Sequence, residues 1–281
     1  MFQINWKIKS LFYKIFGYFK FKKIFFIIQK LITKRSKINI NSINNNWEIH
    51  ANNISKFHAN SIIEFGAGKS LEQNIYFSYI FNNRIKQTVI DINKMIDFTL
   101  FNEANLQISR ILNKEKKYDV KSIEDLKRNY NIEYKAPFNL QKLVNEKKSF
   151  DMCINTATLE HLSIDDINLC FGNLKKIIKK NGYISSLIDY SDHYCHTDKN
   201  ISPLNFLKYS KVEWNKYNNN YLYQNRLRHH EYKKLFENFN FSINQTIKGN
   251  LGKSPGKISK EFDEKNNDTF ILWGYYLVKN D

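Results

Sequence analysis

The side chains best suited to chemistry are most concentrated in the segment Asp189–Asp198, which holds two histidines and three aspartates in ten residues. Histidine exchanges protons near neutral pH, and a neighbouring carboxylate can orient its ring, so this composition suits general-base chemistry. We take His193 and His196 as candidate catalytic bases, with Asp192 as the orienting carboxylate. His161, which follows an earlier apolar run, is a further candidate.

The same segment supports two other interpretations. His193, His196 and Asp198 carry donor atoms that suit a divalent metal. Alternatively, the segment is a hydrogen-bonded loop that only shapes a pocket. We adopt the base as the working interpretation and predict no metal.

A glycine turn, Glu64–Gly68, indicates a nucleotide site. It follows the apolar pair Ile62-Ile63 and precedes a predicted helix, so backbone N–H groups face outward and a ligand can approach closely. A P-loop is disfavoured because Ile63 stands where its first glycine is required. A dinucleotide fingerprint is incomplete because Leu71 replaces its third glycine.

The elements that must position these residues alternate between strands and helices. The predicted strands are 62–63, 87–90, 131–134, 150–154, 183–188, 241–247 and 269–278; the predicted helices are 70–82, 93–112, 163–181 and 229–239. Residues 113–130 carry no predicted element. The alternation predicts an α/β, Rossmann-like, doubly wound and mainly parallel seven-stranded sheet with an antiparallel edge. Ligands of such sheets bind beyond the carboxyl ends of the strands.

In order and spacing, residues 58–190 resemble the class I S-adenosylmethionine-dependent methyltransferases, in particular the type 11 group. Glu64–Gly68 is similar to their first motif, Ser149–Asn155 to their fourth-strand motif, and Thr158–Leu162 to the segment that follows it. The resemblance implies S-adenosylmethionine as the cofactor. It implies that the cofactor is bound by Glu64, Gly66, Ala67, Gly68, Asp91, Asn139 and Asn155.

The resemblance implies a separate role for each of two residues, Asp91 and Asn139. Asp91 ends the second strand, where the family's acid holds the ribose hydroxyls. Asn139 stands where the family often has an aspartate that accepts a bond from the adenine amino group, and an amide oxygen can accept the same bond.

The resemblance also implies methyl transfer to an oxygen or a nitrogen. The segment Asp189–Arg228 is too long for an ordinary connection, and we predict that it covers the acceptor; a small packed lid is the alternative. Its aromatic and amide side chains suit a sugar, and Arg226 and Arg228 suit an anionic group. We therefore predict a small-molecule or glycan acceptor, which a lipid-linked glycan would satisfy. A non-catalytic nucleotide-binding protein of the same fold and an RNA methyltransferase remain alternatives.

The net charge of +17 is concentrated in the first 37 residues, which hold ten Lys and Arg and no acid. We divide the chain into a basic N-terminal helical arm with its linker, residues 1–46, and a methyltransferase domain, residues 47–281. The helical spacing of Lys20, Lys23, Lys30 and Lys34 suits an anionic membrane surface; a helix packed on the core and a partner-binding arm stay open. Nucleic acid is disfavoured as a partner because the rest of the chain is only mildly basic.

The three cysteines, Cys153, Cys170 and Cys195, contain no C-x-x-C pair and indicate a reducing compartment. No stretch reaches the roughly 18 apolar residues of a membrane span. No signal peptide is recognisable. We expect a cytoplasmic protein that contacts the inner face of the membrane peripherally, with no prediction of oligomeric state.

Overall fold

The computed structural model describes residues 4–18 and 38–281. The helices are α1 (Trp6–Tyr18), α2 (Asn45–Lys56), α3 (Glu72–Ile80), α4 (Phe98–Ile111), α5 (Ile123–Tyr130), α6 (Leu140–Asn145), α7 (Ile164–Ile177), α8 (Lys211–Trp214) and α9 (His229–Asn238). The strands are β1 (Ser61–Phe65), β2 (Lys86–Ile90), β3 (Ile132–Lys135), β4 (Phe150–Thr156), β5 (Ile178–Asp189), β6 (Phe241–Lys248) and β7 (Trp273–Asn280). Short 3-10 turns cover Leu159–His161, His193–His196, Asn205–Lys208 and Asn267–Phe270.

The seven strands form one sheet in the order β3-β2-β1-β4-β5-β7-β6. Strands β1 to β5 are parallel, whereas β7 runs antiparallel to both of its neighbours, β5 and β6. The predicted fold class, including the antiparallel pairing at one edge, is confirmed. Strand β1 pairs with β2 on one side and β4 on the other, so the order reverses there. The crevice at their carboxyl ends is the switch point at which ligands bind in such sheets.

Alternate residues of the central strands pack into two cores on opposite faces of the sheet. Ile63 and Cys153 belong to one buried cluster, whereas Ile62, Met152 and Ile154 belong to the other. This division follows from the two-residue period of a strand. The continuous apolar runs of the sequence are therefore strands covered by helices on both sides.

Two local predictions differ from the structure. Residues 113–130 contain helix α5, whose start is stabilised by a capping box between Ser122 and Asp125. Helix α7 ends at Ile177 rather than just before Gly182, because Lys179 and Lys180 already belong to β5, whereas Lys175 and Lys176 lie in the last turn of the helix. Leu71, in a left-handed conformation, occupies the N-cap of α3.

Helix α1 of the N-terminal arm packs on the Asp189–Arg228 segment. The Trp6 ring lies 4.5 Å from the Tyr217 ring and 5.6 Å from the Tyr194 ring, between ring centroids. The Trp6 N–H donates to Asp198 Oδ2 at 3.0 Å. This part of the arm matches the open alternative of a helix packed on the rest of the protein. The predicted stripe Lys20–Lys34 lies outside the described residues.

Within the described part of the chain, none of the helices has the length and apolar character needed to cross a membrane. All three cysteines are free thiols, and Cys153 and Cys170 are buried.

Candidate active site

A cavity of about 1780 Å³ lies at the carboxyl ends of β1 and β2 and beside the segments that follow β3 and β4. Five of the residues predicted from the sequence line it together: Gly66, Gly68, Asp91, Asn139 and His161. They come from four separate segments of the chain. The parallel arrangement of the strands therefore brings residues up to 95 positions apart, from 66 to 161, around one cavity.

The glycine turn leaves room for a ligand on one side and contacts protein on the other. Gly66 and Gly68 both have positive φ, +76° and +77°. A Cβ atom at Gly66 would lie 2.6 Å from Cγ2 of Thr158, so the segment after β4 closes on the turn. A Cβ at Gly68 would meet no described atom within 4 Å. A side chain at Gly66 or Gly68 would therefore strain the backbone of the turn or fill the space that a ligand needs.

Asp91 presents a carboxylate to the cavity from the end of β2. Its Oδ1 accepts from the Asn93 N–H at 2.9 Å, and its carbonyl oxygen accepts from the Phe138 N–H at 2.8 Å. Burial raises the pKa of this carboxyl, although backbone N–H groups oppose the rise. A carboxylate held in this way is a strong acceptor for a pair of hydroxyl donors.

Asn139 lines the same cavity and also caps helix α6. Its Oδ1 accepts from the Lys142 N–H at 3.1 Å. A carbonyl-type oxygen has two lone pairs, so a second donor can still be accepted. The role expected for Asn139 therefore has to be shared with the capping of α6.

Glu64 and Asn155 occupy the interior of the fold rather than the cavity lining. Glu64 accepts from Asn74 Nδ2 at 2.8 Å and Gln73 Nε2 at 3.1 Å, and so joins β1 to α3. Burial raises the pKa of Glu64 to about 7, against the effect of these two amides. Asn155 accepts from Ser186 Oγ at 2.6 Å between β4 and β5. Ala67 does not line the cavity either and packs against the buried cluster that contains Ile62 and Met152.

The candidate histidines lie together. The His161 and His193 rings are 4.9 Å apart, and the His193 and His196 rings 5.4 Å apart, between centroids. Nδ1 of His161 donates to the Tyr223 carbonyl oxygen at 2.8 Å. Burial lowers the pKa of both His161 and His196. His161 is the member of this group that lines the cavity.

The carboxylate that accompanies these histidines is Asp189, which corrects the choice of Asp192. Nε2 of His193 lies 3.3 Å from Oδ2 of Asp189. Burial opposes ionisation of Asp189, but the contacts with His193 and Ser191 together outweigh it and lower the pKa of this carboxyl. Asp192 is fully buried and accepts instead from the Tyr194 N–H at 2.9 Å and from Asn205 Nδ2. Asp192 therefore stabilises the conformation of the Asp189–Arg228 segment and does not orient a histidine base.

Asp198 also lies apart from the histidines with which it had been grouped as a metal ligand. Its carboxylate receives the Trp6 N–H and the Asn200 N–H, at 3.0 and 3.1 Å, and anchors α1.

Arg226 and Arg228 are internal braces, so the prediction of an anion site at these residues is wrong. Arg228 is 1% exposed and donates to the carbonyl oxygens of Tyr190 and Ile271. Arg226 donates to the Tyr209 carbonyl oxygen at 2.6 Å. Backbone carbonyl oxygens contact both guanidinium groups inside the protein, and the Glu261 carboxylate lies 3.6 Å from that of Arg226. Sequence composition gives no indication of this burial.

Glu160 carries an environment that the sequence does not reveal. It stands in the Thr158–Leu162 motif, one residue before His161. Burial raises the pKa of this carboxyl well above its usual range. The motif signals a functional segment, but only the fold shows that the glutamate points into the protein.

Comparisons with known proteins concern the fold. No protein-family model and no curated protein match the sequence. Solved structures that match include the CurJ carbon methyltransferase (12% identity, 78% of this chain and 48% of that chain, TM-score 0.43). They also include a putative O-methyltransferase from Nostoc punctiforme (10%, 84% and 56%, TM-score 0.46). A third is 1,6-didemethyltoxoflavin-N1-methyltransferase from Burkholderia thailandensis, solved with S-adenosylhomocysteine (11%, 83% and 76%, TM-score 0.47).

The chain has a Rossmann-like α/β fold. It spans about half of CurJ and of the Nostoc protein. The three proteins are described as carbon, oxygen and nitrogen methyltransferases.

Proposed function

We propose that this protein is an S-adenosylmethionine-dependent methyltransferase that acts on an oxygen or a nitrogen of a polar acceptor. The observation that carries the proposal is the convergence of Gly66, Gly68, Asp91, Asn139 and His161 on one cavity. S-adenosylmethionine supplies, when bound, a methyl group activated by a sulfonium. The protein's task is then to bind and align the two reactants.

The described residues fit this cofactor. The positive-φ glycine turn lets a ligand reach the backbone, and Asp91 offers a carboxylate for two ribose hydroxyls. Asn139 would take the adenine amino group. The cavity, at about 1780 Å³, exceeds the roughly 1,000 Å³ upper range of a pocket for one drug-sized ligand. It therefore has room for a cofactor and an acceptor together.

We place the acceptor beside His161. Leu162 from the same turn and Asn220 and Tyr221 from the Asp189–Arg228 segment line the cavity with it. An amide, an aromatic ring and an imidazole suit a sugar or another polyol. The His161 imidazole can take a proton from such an acceptor or hold an ion that acidifies it.

Calorimetry with S-adenosylhomocysteine, followed by labelled methyl transfer to a panel of sugars, glycans, RNA and small amines, tests the proposal. We expect one cofactor bound per chain and transfer to a hydroxylated acceptor. Absence of cofactor binding contradicts the proposal. Cofactor binding without transfer to any class of acceptor favours a non-catalytic nucleotide-binding protein. Transfer to RNA alone favours an RNA methyltransferase.

We also propose that helix α1 contacts an anionic membrane surface. Ile8 and Leu11 are 64% and 60% exposed, and Ile15 completes an outward apolar stripe at helical spacing beside Lys7 and Lys14. Flotation of the full chain with anionic and with neutral vesicles tests this contact. We expect binding to anionic vesicles only, and loss of binding when Ile8, Leu11 and Ile15 are replaced by serine. Equal flotation of the serine variant would exclude α1 as the contact.

A further inference from the structure

Beside the cavity lies a cluster of carboxylates and imidazoles drawn from two segments, the turn after β4 and the loop after β5. One donor atom each from Glu160, His161 and His193 lie within 4.8 Å of one another. The same is true of Asp189, His193 and His196. The two sets share His193, so five potential ligands surround one small region.

Glu160 is the member that the protein itself leaves uncompensated. It is 3% exposed, and neither carboxylate oxygen has a hydrogen-bond partner among the described residues. Backbone N–H groups of Glu160 and Asp189 lie near it without reaching hydrogen-bond geometry. A buried carboxylate without a partner is costly, and either a proton or a bound cation compensates it.

His193 has the same unmet requirement. Its Nε2 is buried and, within the described chain, makes no aligned hydrogen bond, although Oδ2 of Asp189 is 3.3 Å away. Glu160 and His193, from different segments, therefore each have a buried polar atom without a hydrogen-bond partner among the described residues. One potential ligand atom of each lies within 4.8 Å of the other.

The surroundings hold these donors in fixed orientations. Nδ1 of His161 donates to the Tyr223 carbonyl oxygen at 2.8 Å, which leaves the lone pair on Nε2. Oδ1 of Asp189 accepts from the Ser191 N–H at 2.8 Å, while Oδ2 faces His193. Histidines that bind metals characteristically donate their second ring N–H to a carbonyl or a carboxylate in this way.

We propose that Glu160, His161, Asp189 and His193 form a binding site for a divalent transition-metal ion, with His196 at its exposed side. A mixed set of imidazoles and carboxylates suits Mn²⁺, Fe²⁺, Co²⁺ or Zn²⁺, whereas Mg²⁺ and Ca²⁺ prefer oxygen ligands alone. This assignment revises the sequence-based prediction of no metal. It also replaces Asp198, which anchors α1, by Asp189 and Glu160.

The site bears on the acceptor because His161 also lines the cavity. This consequence rests on the proposed function. An ion held there binds the acceptor hydroxyl and lowers its pKa. The hydroxyl proton leaves to solvent, and the oxygen forms a bond to the methyl carbon. The carbon–sulfur bond breaks at the same time and leaves neutral S-adenosylhomocysteine. An oxygen acceptor is therefore favoured over nitrogen.

Cobalt binding to the untagged full chain tests the site directly. Metal content after dialysis against Co²⁺, the visible absorption of bound Co²⁺ and calorimetric titration with Co²⁺, Zn²⁺ and Mg²⁺ are measured. We expect one Co²⁺ per chain, displaced by Zn²⁺ and unaffected by Mg²⁺. Glu160→Gln and His193→Gln should each weaken Co²⁺ binding at least about tenfold.

Glu115→Gln and His58→Gln, which change exposed residues of the same types, are the matched controls and should bind Co²⁺ like the unmodified protein. Thermal unfolding without metal separates loss of ligand from loss of fold, because Glu160→Gln replaces a buried carboxyl group that has no hydrogen-bond partner among the described residues and should not lower the melting temperature. If one variant does not fold, the other decides.

Two outcomes overturn the metal site: no stoichiometric Co²⁺ in the unmodified protein, or equal binding by the ligand variants and the controls. The proposed function is tested separately by S-adenosylhomocysteine binding. Cofactor binding without Co²⁺ binding rejects only the metal site. Co²⁺ binding without cofactor binding rejects only the methyltransferase.

Discussion

The Nδ1 atom of His161 donates a hydrogen bond to the carbonyl oxygen of Tyr223, 62 residues further along the chain, at 2.8 Å. This bond ties the turn after β4 to the segment that covers the cavity. It also fixes the ring so that Nε2 keeps its lone pair. The two nitrogens of one side chain thus have different tasks, one structural and one chemical.

Substitution of His161 should separate these two tasks. Asparagine places an amide N–H near the position of Nδ1 and can keep the bond to Tyr223, but it has no counterpart of Nε2. We expect His161→Asn to unfold within about 0.5 kcal/mol of the unmodified protein and His161→Ala to lose about 1 kcal/mol. Both variants should lose methyl transfer. Retained activity in His161→Asn would remove Nε2 from the mechanism.

Asp91→Ala should weaken cofactor binding. The variant removes a charged acceptor for two ribose hydroxyls, which is a loss of about 1.5–3 kcal/mol, or roughly 10- to 150-fold in Kd. Calorimetry with S-adenosylhomocysteine measures the change. Glu115→Ala, at an exposed position, should bind like the unmodified protein. Equal affinity of the two variants would reject the ribose assignment.

The contact between Gly66 and Thr158 can be tested with a double mutant. Gly66→Ala adds a methyl group 2.6 Å from Thr158 Cγ2, at a residue with φ of +76°. We expect it to destabilise the fold by about 2–3 kcal/mol, the sum of overpacking and backbone strain. Gly68→Ala has the strain without the clash and should cost about 1 kcal/mol.

Thr158→Ala in the Gly66→Ala background should recover the difference between the two glycine variants. Urea unfolding measures the free energy of unfolding of the unmodified protein, the two glycine variants and the double mutant. Lack of recovery would mean that the turn, and not the neighbouring threonine, limits the residue at position 66.

Glu64 should make the protein more stable in mild acid than at neutral pH. Its pKa rises from 4.5 to about 7 on folding, with burial as the main cause. Between these values the folded state keeps a proton that the unfolded state has released, so stability falls as pH rises. Above about pH 7 this contribution is constant, and in total it amounts to about 3 kcal/mol.

The measurement is urea unfolding at intervals from pH 4.5 to 8. Glu64→Gln should flatten the slope in this range relative to Glu115→Gln, which changes the same charge at the surface. Parallel pH profiles for these two variants would show that Glu64 titrates alike in both states.

Trp6→Ala should release helix α1 from the segment it covers. Trp6 is 4% exposed and stands among the rings of Tyr194, Tyr209, Trp214 and Tyr217. We expect a loss of about 3 kcal/mol in the free energy of unfolding, as for other buried tryptophans. Ile8→Ala, on the exposed side of the helix, should change it by less than about 0.5 kcal/mol. If Trp6→Ala and Ile8→Ala both changed the free energy of unfolding by less than about 0.5 kcal/mol, the packing of α1 would add nothing to stability.

The sequence by itself determined the sheet and the position of the glycine turn. Apolar runs, glycines and strand-end acids are local signals, and the rules that connect parallel strands bring their carboxyl ends together. That is why Gly66, Gly68, Asp91 and Asn139 could be placed on one cavity without coordinates. Helix α5 was within reach too, because Ser122 and Asp125 carry a capping signal.

Only the tertiary structure decided which polar side chains face a ligand. Arg226 and Arg228 are buried braces, Asp192 and Asp198 order a segment, and Asp189 is the acid beside His193. The physical reason is that burial and orientation depend on chain segments far apart in sequence, while residue type and spacing are local. Glu160 shows this most clearly, since its lack of a partner is a property of everything packed around it.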